Sequence, residues 1–422
     1  MTSNYQQAQQ SFDLQQAAQR FLSGSVDALN ACYECCDRHA LPGQIALFWQ
    51  GKDGRKEQYT FRELQQRASQ FANFMKSQGI GKGDRVSGLL PRTPELIITI
   101  LATWRIGAVY QPLFTAFGPK AIEHRLQLAQ SKLVVTDVGN RDKLHEVDGC
   151  PAIVTVTGAK GTGLYQGDYS FWAEVNRQSD QCELEMMNIQ DPFLLMFTSG
   201  TTGPAKPLQV PLKALIAFGA YMQDAIGLRA EDSFWNIADP GWAYGLYYGI
   251  TGPLLLGHPT IFYEGAFTAD SLCQIVQDYG VNNLAGAPTA YRMMMAANQK
   301  QMAKLHGKFR VVSSAGEPLN PEVFRWFKQV LDAPIYDHYG QTEVGMVVCN
   351  HHALEHEVRA GSAGFASPGY RVVALDEQGN ELGADSPGIL AVDISQSPMM
   401  WFGGYQESRK SPFIGHYYLT GD

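Results

Sequence analysis

Between residues 60 and 136 the chain switches repeatedly between two hydrophobic periods, and this alternation narrows the fold more than any other feature. Thr60 followed by Glu63 makes a capping box, after which Leu64, Ala68, Phe71, Ala72 and Met75 recur at helical spacing. Gly79 ends that helix and a strand fits 85–90. Thr93 then caps a second helix with Pro94 in its first turn, where a missing N–H costs nothing, and Gly107 stops it. A strand at 108–111, a helix after Pro119 and a strand at 132–136 extend the βαβα order, which predicts a mostly parallel sheet covered by helices. The second half repeats the style, with an apolar strand at 192–197, a helix near 213–226 and a strand–helix pair across 259–278. The Met-rich helix expected at 289–297 reads as core filler. After residue 360, strands at 372–375 and 388–394 flank the turn Asp376-Glu377-Gln378-Gly379-Asn380. The expected fold class is α/β: two mostly parallel, helix-flanked sheets plus a smaller β-rich subdomain. The divisions fall at about 40–190, 191–359 and 360–422.

Bulk properties remove several function classes. At 422 residues the chain exceeds one small core, and 45% hydrophobic against 18% charged residues suits a folded protein. A net charge of -8 without a basic stripe argues against nucleic acid as a partner. Cys32 and Cys35 have C-x-x-C spacing, but no second pair or nearby His completes a zinc site. With Cys36, Cys150, Cys182, Cys273 and Cys349 they read as reduced thiols of a cytoplasmic protein. No basic n-region and apolar core opens the chain, and no apolar run reaches the roughly 20 residues of a membrane span. A homo-oligomer is compatible with this composition.

Four segments carry chemistry. In the first, an apolar strand runs into Phe197-Thr198-Ser199-Gly200-Thr201-Thr202-Gly203-Pro204-Ala205-Lys206. Glycines let backbone N–H groups approach an anion, hydroxyls add donors and lysine adds a point charge, which is what a polyphosphate needs. It is not a Walker A loop, because Lys206 sits between Ala205 and Pro207. In the second, a short strand at 333–336 feeds Asp337-His338-Tyr339-Gly340-Gln341-Thr342-Glu343. Tyr339 could stack on a base, Thr342 donate to a phosphate and Glu343 hold Mg²⁺, which takes carboxylate, phosphate and water oxygens. The third, Ser313-Ser314-Ala315-Gly316-Glu317-Pro318, is a strand-end turn that could line a flat ligand before a helix opened by Asn320 and Pro321. The fourth, Tyr418-Leu419-Thr420-Gly421-Asp422, offers a carboxylate for ribose hydroxyls. Taken singly, a Tyr-Gly turn such as the second is usually just structure, the third reads as an ordinary strand-to-helix turn, and the fourth says almost nothing.

Together and in this order, the four segments resemble the adenylate-forming (AMP-binding) superfamily over about 59–422, and most nearly its acetyl- and medium-chain acyl-CoA synthetases. Asp239-Pro240-Gly241-Trp242 and the stretches 286–292 and 316–321 add to the likeness. The resemblance implies the large N-terminal domain of those enzymes. It makes Thr198, Lys206, Thr342 and Glu343 the catalytic set. Thr198, Ser199, Gly200, Thr201, Thr202, Gly203 and Lys206 would handle the ATP phosphates. Gly316, Glu317 and Pro318 with Asp337, His338 and Tyr339 would surround the adenine, and Thr342 would contact the α-phosphate. Glu343 would hold Mg²⁺, and Asp422 the ribose. Trp242, Ala243, Tyr244, Gly245, Ala315 and Gly340 would line the acid pocket. Core packing explains Trp242 and Tyr244 as well as pocket lining does.

Gly340 falls where acetate-specific relatives carry a pocket-closing Trp, so an acid larger than acetate is expected, medium-chain or aromatic. The reaction implied is ATP-dependent formation of an acyl-adenylate followed by transfer to CoA. Loading of a carrier protein is the near alternative, and an inactive AMP- or ATP-binding module the distant one. Ala205 and Pro207 depart from the family's usual Pro-Lys-Gly, and Leu212 stands where a His is common. Pro207 is expected to stiffen a loop that normally moves. The family's mobile C-terminal domain, with its adenylation lysine, is absent from these residues, so the chain alone is expected to be impaired. The reading requires the hydroxyl-rich turn before Lys206 and the Glu343 carboxylate to converge on one nucleotide.

Overall fold

Thr60 opens the first long helix as its sequence demands: its hydroxyl accepts from the Glu63 N–H at 3.1 Å, and the Glu63 carboxylate accepts from the Thr60 N–H at 2.8 Å. This computed structural model describes residues 3–158, 162–198, 205–405 and 411–422. Two units divide the chain: the first is Leu22–Lys213 with Asp239–Gly265, the second Met1–Phe21 with Ala214–Ala238 and Ala266–Asp422.

The first unit is built on a seven-stranded sheet. Its strands are β1 (Arg85–Leu89), β2 (Val109–Pro112), β3 (Leu133–Asp137), β4 (Ala152–Val156), β5 (Tyr169–Ser170), β6 (Pro192–Thr198) and β7 (Lys206–Pro211). The order β7-β6-β2-β1-β3-β4-β5 makes every neighbour parallel except the last pair, β6 and β7. Buried parallel strands read as continuous apolar runs, as in Leu133-Val134-Val135 of β3 and Phe193 to Met196 of β6. Helices α1 (Phe61–Ser77), α2 (Pro94–Arg105) and α3 (Pro119–Ala129) join them. α3 sets Ile122 and Leu126 against Leu89 of β1 and Val134 of β3 in one buried cluster. Thr93 stands at the N-cap of α2, yet its side chain makes no capping bond; its hydroxyl is buried and unpartnered among the described residues. A small sheet of Ile45–Gln50, Lys56–Thr60 and Thr260–Tyr263 completes this unit.

β7 departs from expectation. No strand was expected between the hydroxyl-rich loop and the helix near 213–226, yet the chain returns there as an antiparallel strand, with Lys206 opposite Thr198 and Pro207 opposite Phe197, before the helix begins at Ala214. Pro207 and Pro211 are tolerated there because β7 lies at the sheet edge, where a missing donor breaks no inner ladder.

The second unit holds α4 (Ala214–Asp224) and a six-stranded sheet. The strands are β8 (Phe234–Asn236), β9 (Asn283–Gly286), β10 (Val311–Ala315), β11 (Ile335–Gln341), β12 (Gly345–Cys349) and β13 (Phe365–Ala366), paired in chain order. The first four are parallel and the rest antiparallel. Helix α5 (Pro321–Trp326) follows β10, capped by Asn320, whose side chain accepts from the Glu322 N–H at 2.8 Å. A four-stranded antiparallel sheet, β14 (Val372–Leu375), β15 (Ile389–Asp393), β16 (Phe413–Ile414) and β17 (Tyr417–Leu419), forms the β-rich part. Among the described residues, no helix is long and apolar enough to cross a membrane.

Candidate functional site

The second unit gathers most of the candidate residues. Parallel pairing sets Ser314 beside Asp337 and Ala315 beside His338, so the turn after β10 runs next to the middle of β11. Gly316 turns the chain out of β10 with φ +96, a conformation that side chains disfavour. The strand was expected to stop at 336; it continues through Gln341, which places the polar run on the strand itself.

A strand alternates its faces, and this sorts the run. His338 points inward, 2% exposed, its Nδ1 2.7 Å from the Tyr221 hydroxyl and its Nε2 2.9 Å from the Asn350 carbonyl. Burial drives its pKa down to about 3, so the ring is neutral and both nitrogens are occupied by protein. Its side chain therefore offers nothing to an adenine. Asp337 lies on the other face. Its Oδ2 accepts from the Leu319 N–H at 3.1 Å, while Oδ1 is buried and has no hydrogen-bond partner among the described residues. Burial lifts the Asp337 carboxyl to about 6. An unfilled buried acceptor beside the Gly316 turn suits an exocyclic amine of a base.

Tyr339 shares the face of Asp337, and its hydroxyl donates to Asp422 at 2.6 Å. The Gln341 amide donates to the same carboxylate at 3.1 Å, and the Tyr418 hydroxyl donates to Gln341 at 2.9 Å. Gln341 was not among the expected site residues, although it stands inside the same run. Glu317 is exposed, and its carboxylate accepts from Thr289 at 2.8 Å and Arg292 at 2.8 Å, which hold it below the usual range.

Thr342 and Glu343 occupy the tight turn from β11 to β12, closed by the Val344 N–H on the Gln341 carbonyl at 3.3 Å. Glu343 is 7% exposed, and burial raises its pKa. The Tyr405 hydroxyl donates to its Oε1 at 2.5 Å. A single buried carboxylate on a turn suits Mg²⁺, which binds through one or two carboxylates plus phosphate and water oxygens. No group of three or more His, Cys, Asp or Glu forms an all-protein metal cage among the described residues.

Gly340 has a backbone reason to be glycine. A Cβ there would lie 2.2 Å from the Gly345 carbonyl oxygen and 2.7 Å from both Cα and Sδ of Met346. The β11–β12 register shifts at this point, bringing the two backbones unusually close. Met346 therefore already occupies the space that a larger residue at 340 would enter.

In the first unit, Thr198 ends β6 and Lys206 begins β7 opposite it. Ser199, Gly200, Thr201, Thr202 and Gly203 lie outside the described residues. His124 Nε2 is 3.2 Å from the Ala205 carbonyl. Leu212 is buried and 1% exposed, so no polar role falls to it. Trp242 stands at the N-cap of Ala243–Leu246, 40% exposed, with its ring centroid 5.6 Å from Phe114 and 5.8 Å from Phe117. Neither phenylalanine was singled out from the sequence. Ala243 is half-buried, Gly245 is buried, and Tyr244 meets Tyr248 edge-on at 5.7 Å. A π-helical stretch, Tyr247–Thr251, follows directly. Cys32, Cys35 and Cys36 are buried, and desolvation raises all three thiols.

Comparison with known proteins covers nearly the whole chain. Residues 34–400 match the family described as AMP-binding enzyme. The acetyl-coenzyme A synthetase of Bacillus subtilis (strain 168) is 35% identical over 435 residues, 99% of this chain and 74% of that protein. The acetyl-coenzyme A synthetase of Deinococcus radiodurans is 32% identical over 437 residues, 96% of this chain and 67% of that protein. A crystal structure of Brucella canis acyl-CoA synthetase superposes with a TM-score of 0.97 at 54% identity, covering 100% of this chain and 77% of that one.

Proposed function

We propose a reaction for this chain from one premise: it belongs to the AMP-binding enzyme family, within the adenylate-forming acyl-CoA synthetases. It is an AMP-forming acid–CoA ligase. A carboxylate oxygen attacks the α-phosphorus of ATP, the Pα–O–Pβ bond breaks and pyrophosphate leaves. The CoA thiol then attacks the acyl carbon, loses its proton and displaces AMP.

Such chemistry asks the protein to position groups and offset charge rather than to supply a nucleophile. The observation that carries the residue assignment is the unfilled Asp337 acceptor beside the Gly316 turn. We assign Asp337, Gly316, Pro318 and the outward face of Tyr339 to the adenine, and Asp422 to the ribose. Lys206 and the segment from Thr198 belong to the phosphates, and Thr342 to the α-phosphate. Glu343 would hold Mg²⁺, which supplies neutralising charge on the phosphate oxygens. From the expected set, the His338 ring drops out, and the Glu317 carboxylate is already taken by Arg292 and Thr289.

The acid we propose is larger than acetate, medium-chain or aromatic. The half-exposed Trp242 supports this; Gly340 opens no space of its own, because Met346 already fills it. Acetate is the second reading, favoured by the names of the relatives. A panel of acetate, propionate, octanoate and benzoate in acid-dependent ATP–pyrophosphate exchange with the intact protein separates the two. Octanoate or benzoate should exceed acetate in kcat/KM by at least about ten-fold, the effect of one or two methylenes in an apolar pocket. Acetate as best substrate would overturn the size assignment.

A further inference from the structure

A buried carboxylate is costly unless a cation or several donors compensate it. Glu343 has no cationic side chain as a salt-bridge partner among the described residues. Its side-chain hydrogen bond comes from a neutral group, the Tyr405 hydroxyl, on Oε1. The other oxygen, Oε2, takes no side-chain hydrogen bond among the described residues. Tyr405 in turn is braced by aromatic rings of the β-rich part. Phe402 meets it edge-on at 5.0 Å and itself packs on Tyr418 at 5.4 Å and Phe413 at 5.9 Å.

We infer that Tyr405 is a positioning residue, whose hydroxyl pins one Glu343 oxygen so that the other is presented to a divalent cation. The proposal rests on the reading of Glu343 as the Mg²⁺ residue. A hydroxyl suits this role better than an arginine. It fixes the carboxylate without neutralising it, so the negative charge stays available for the metal. Partners of this kind orient metal-binding carboxylates, and their loss typically costs about 10–100-fold in metal affinity.

The test measures the affinity of the intact protein for α,β-methylene-ATP by calorimetry, with Mg²⁺ and with EDTA. Wild type should bind more tightly with Mg²⁺, and Glu343→Gln should lose that gain. If wild type shows no gain, the Glu343 reading itself fails. Given a wild-type gain that Glu343→Gln loses, Tyr405→Phe should cut it about ten-fold and leave binding in EDTA unchanged. A full gain in Tyr405→Phe, or an equal loss with and without Mg²⁺, overturns the positioning role. Should Tyr405→Phe not fold, 3-fluorotyrosine at 405, which changes the donor and keeps the ring, must shift the same gain. No shift there is equally decisive against it.

Discussion

The polar segment of the first unit and that of the second are held in different ways. Thr198 and Lys206 face each other across the last pair of a sheet edge, and their segment is legible from local composition. Asp337 to Glu343 instead depend on side chains from far along the chain: Tyr405 for Glu343, Asp422 for Tyr339, Tyr221 for His338. The contrast follows from what each segment binds with. Backbone amides and hydroxyls next to glycine recognise an anion wherever the chain can bend. A carboxylate does useful work only if its burial and partners are set by the surrounding fold.

The largest expected effect sharpens this difference. Glu343→Ala should abolish Mg²⁺-dependent pyrophosphate exchange in the intact protein. Lys206→Ala should reduce it by about 10²–10³-fold, the scale of one lost charge-stabilising donor. Wild-type-like exchange by either variant contradicts the role assigned to that residue.

A smaller effect tests whether the second segment is as tightly built as it looks. Gly340→Ala should destabilise the protein by about 1–3 kcal/mol in urea unfolding, since its Cβ meets backbone at 2.2 Å. A change below about 0.5 kcal/mol would mean that the β11–β12 hairpin yields easily. The glycine would then be there for the substrate alone.

The smallest effect concerns pH. Burial raises Asp337 from its ordinary 3.8 to about 6, so the folded protein holds this proton more tightly than the unfolded chain does. Stability should therefore fall as pH rises from about 4 through about 6, with the loss complete above that. Asp337→Asn cannot ionise and should flatten this part of the stability–pH curve. An unaltered slope in urea melts would assign it to other groups.

Several features could be read before any coordinates. The Thr60 capping box, the helix opened by Asn320 and Pro321, and the hairpin around Asp376–Asn380 each depend on neighbours within a few residues. Other features could not be read. Pro207 looked like a stiffener of a loop, because nothing local says that its strand will lie at a sheet edge, where proline is harmless. His338 looked like a ligand residue, because its motif neighbours are polar. Strand alternation could have placed it on the opposite face from Asp337 and Tyr339, had the strand been extended past 336. Tyr405 carried no signal, since it meets Glu343 across a separation of 62 residues.

The amino-acid sequence by itself determined the alternation of helices and strands, the α/β class and the family. Periodicity, caps and motif spacing are local properties that the unfolded chain already possesses. Only the tertiary structure decided which side of β11 each polar group faces, that Gly340 is hemmed in by Gly345 and Met346, and that a distant tyrosine pins one oxygen of Glu343. Burial and hydrogen-bond partners come into existence only when remote segments pack, and they are what turn a polar residue into a defined chemical group.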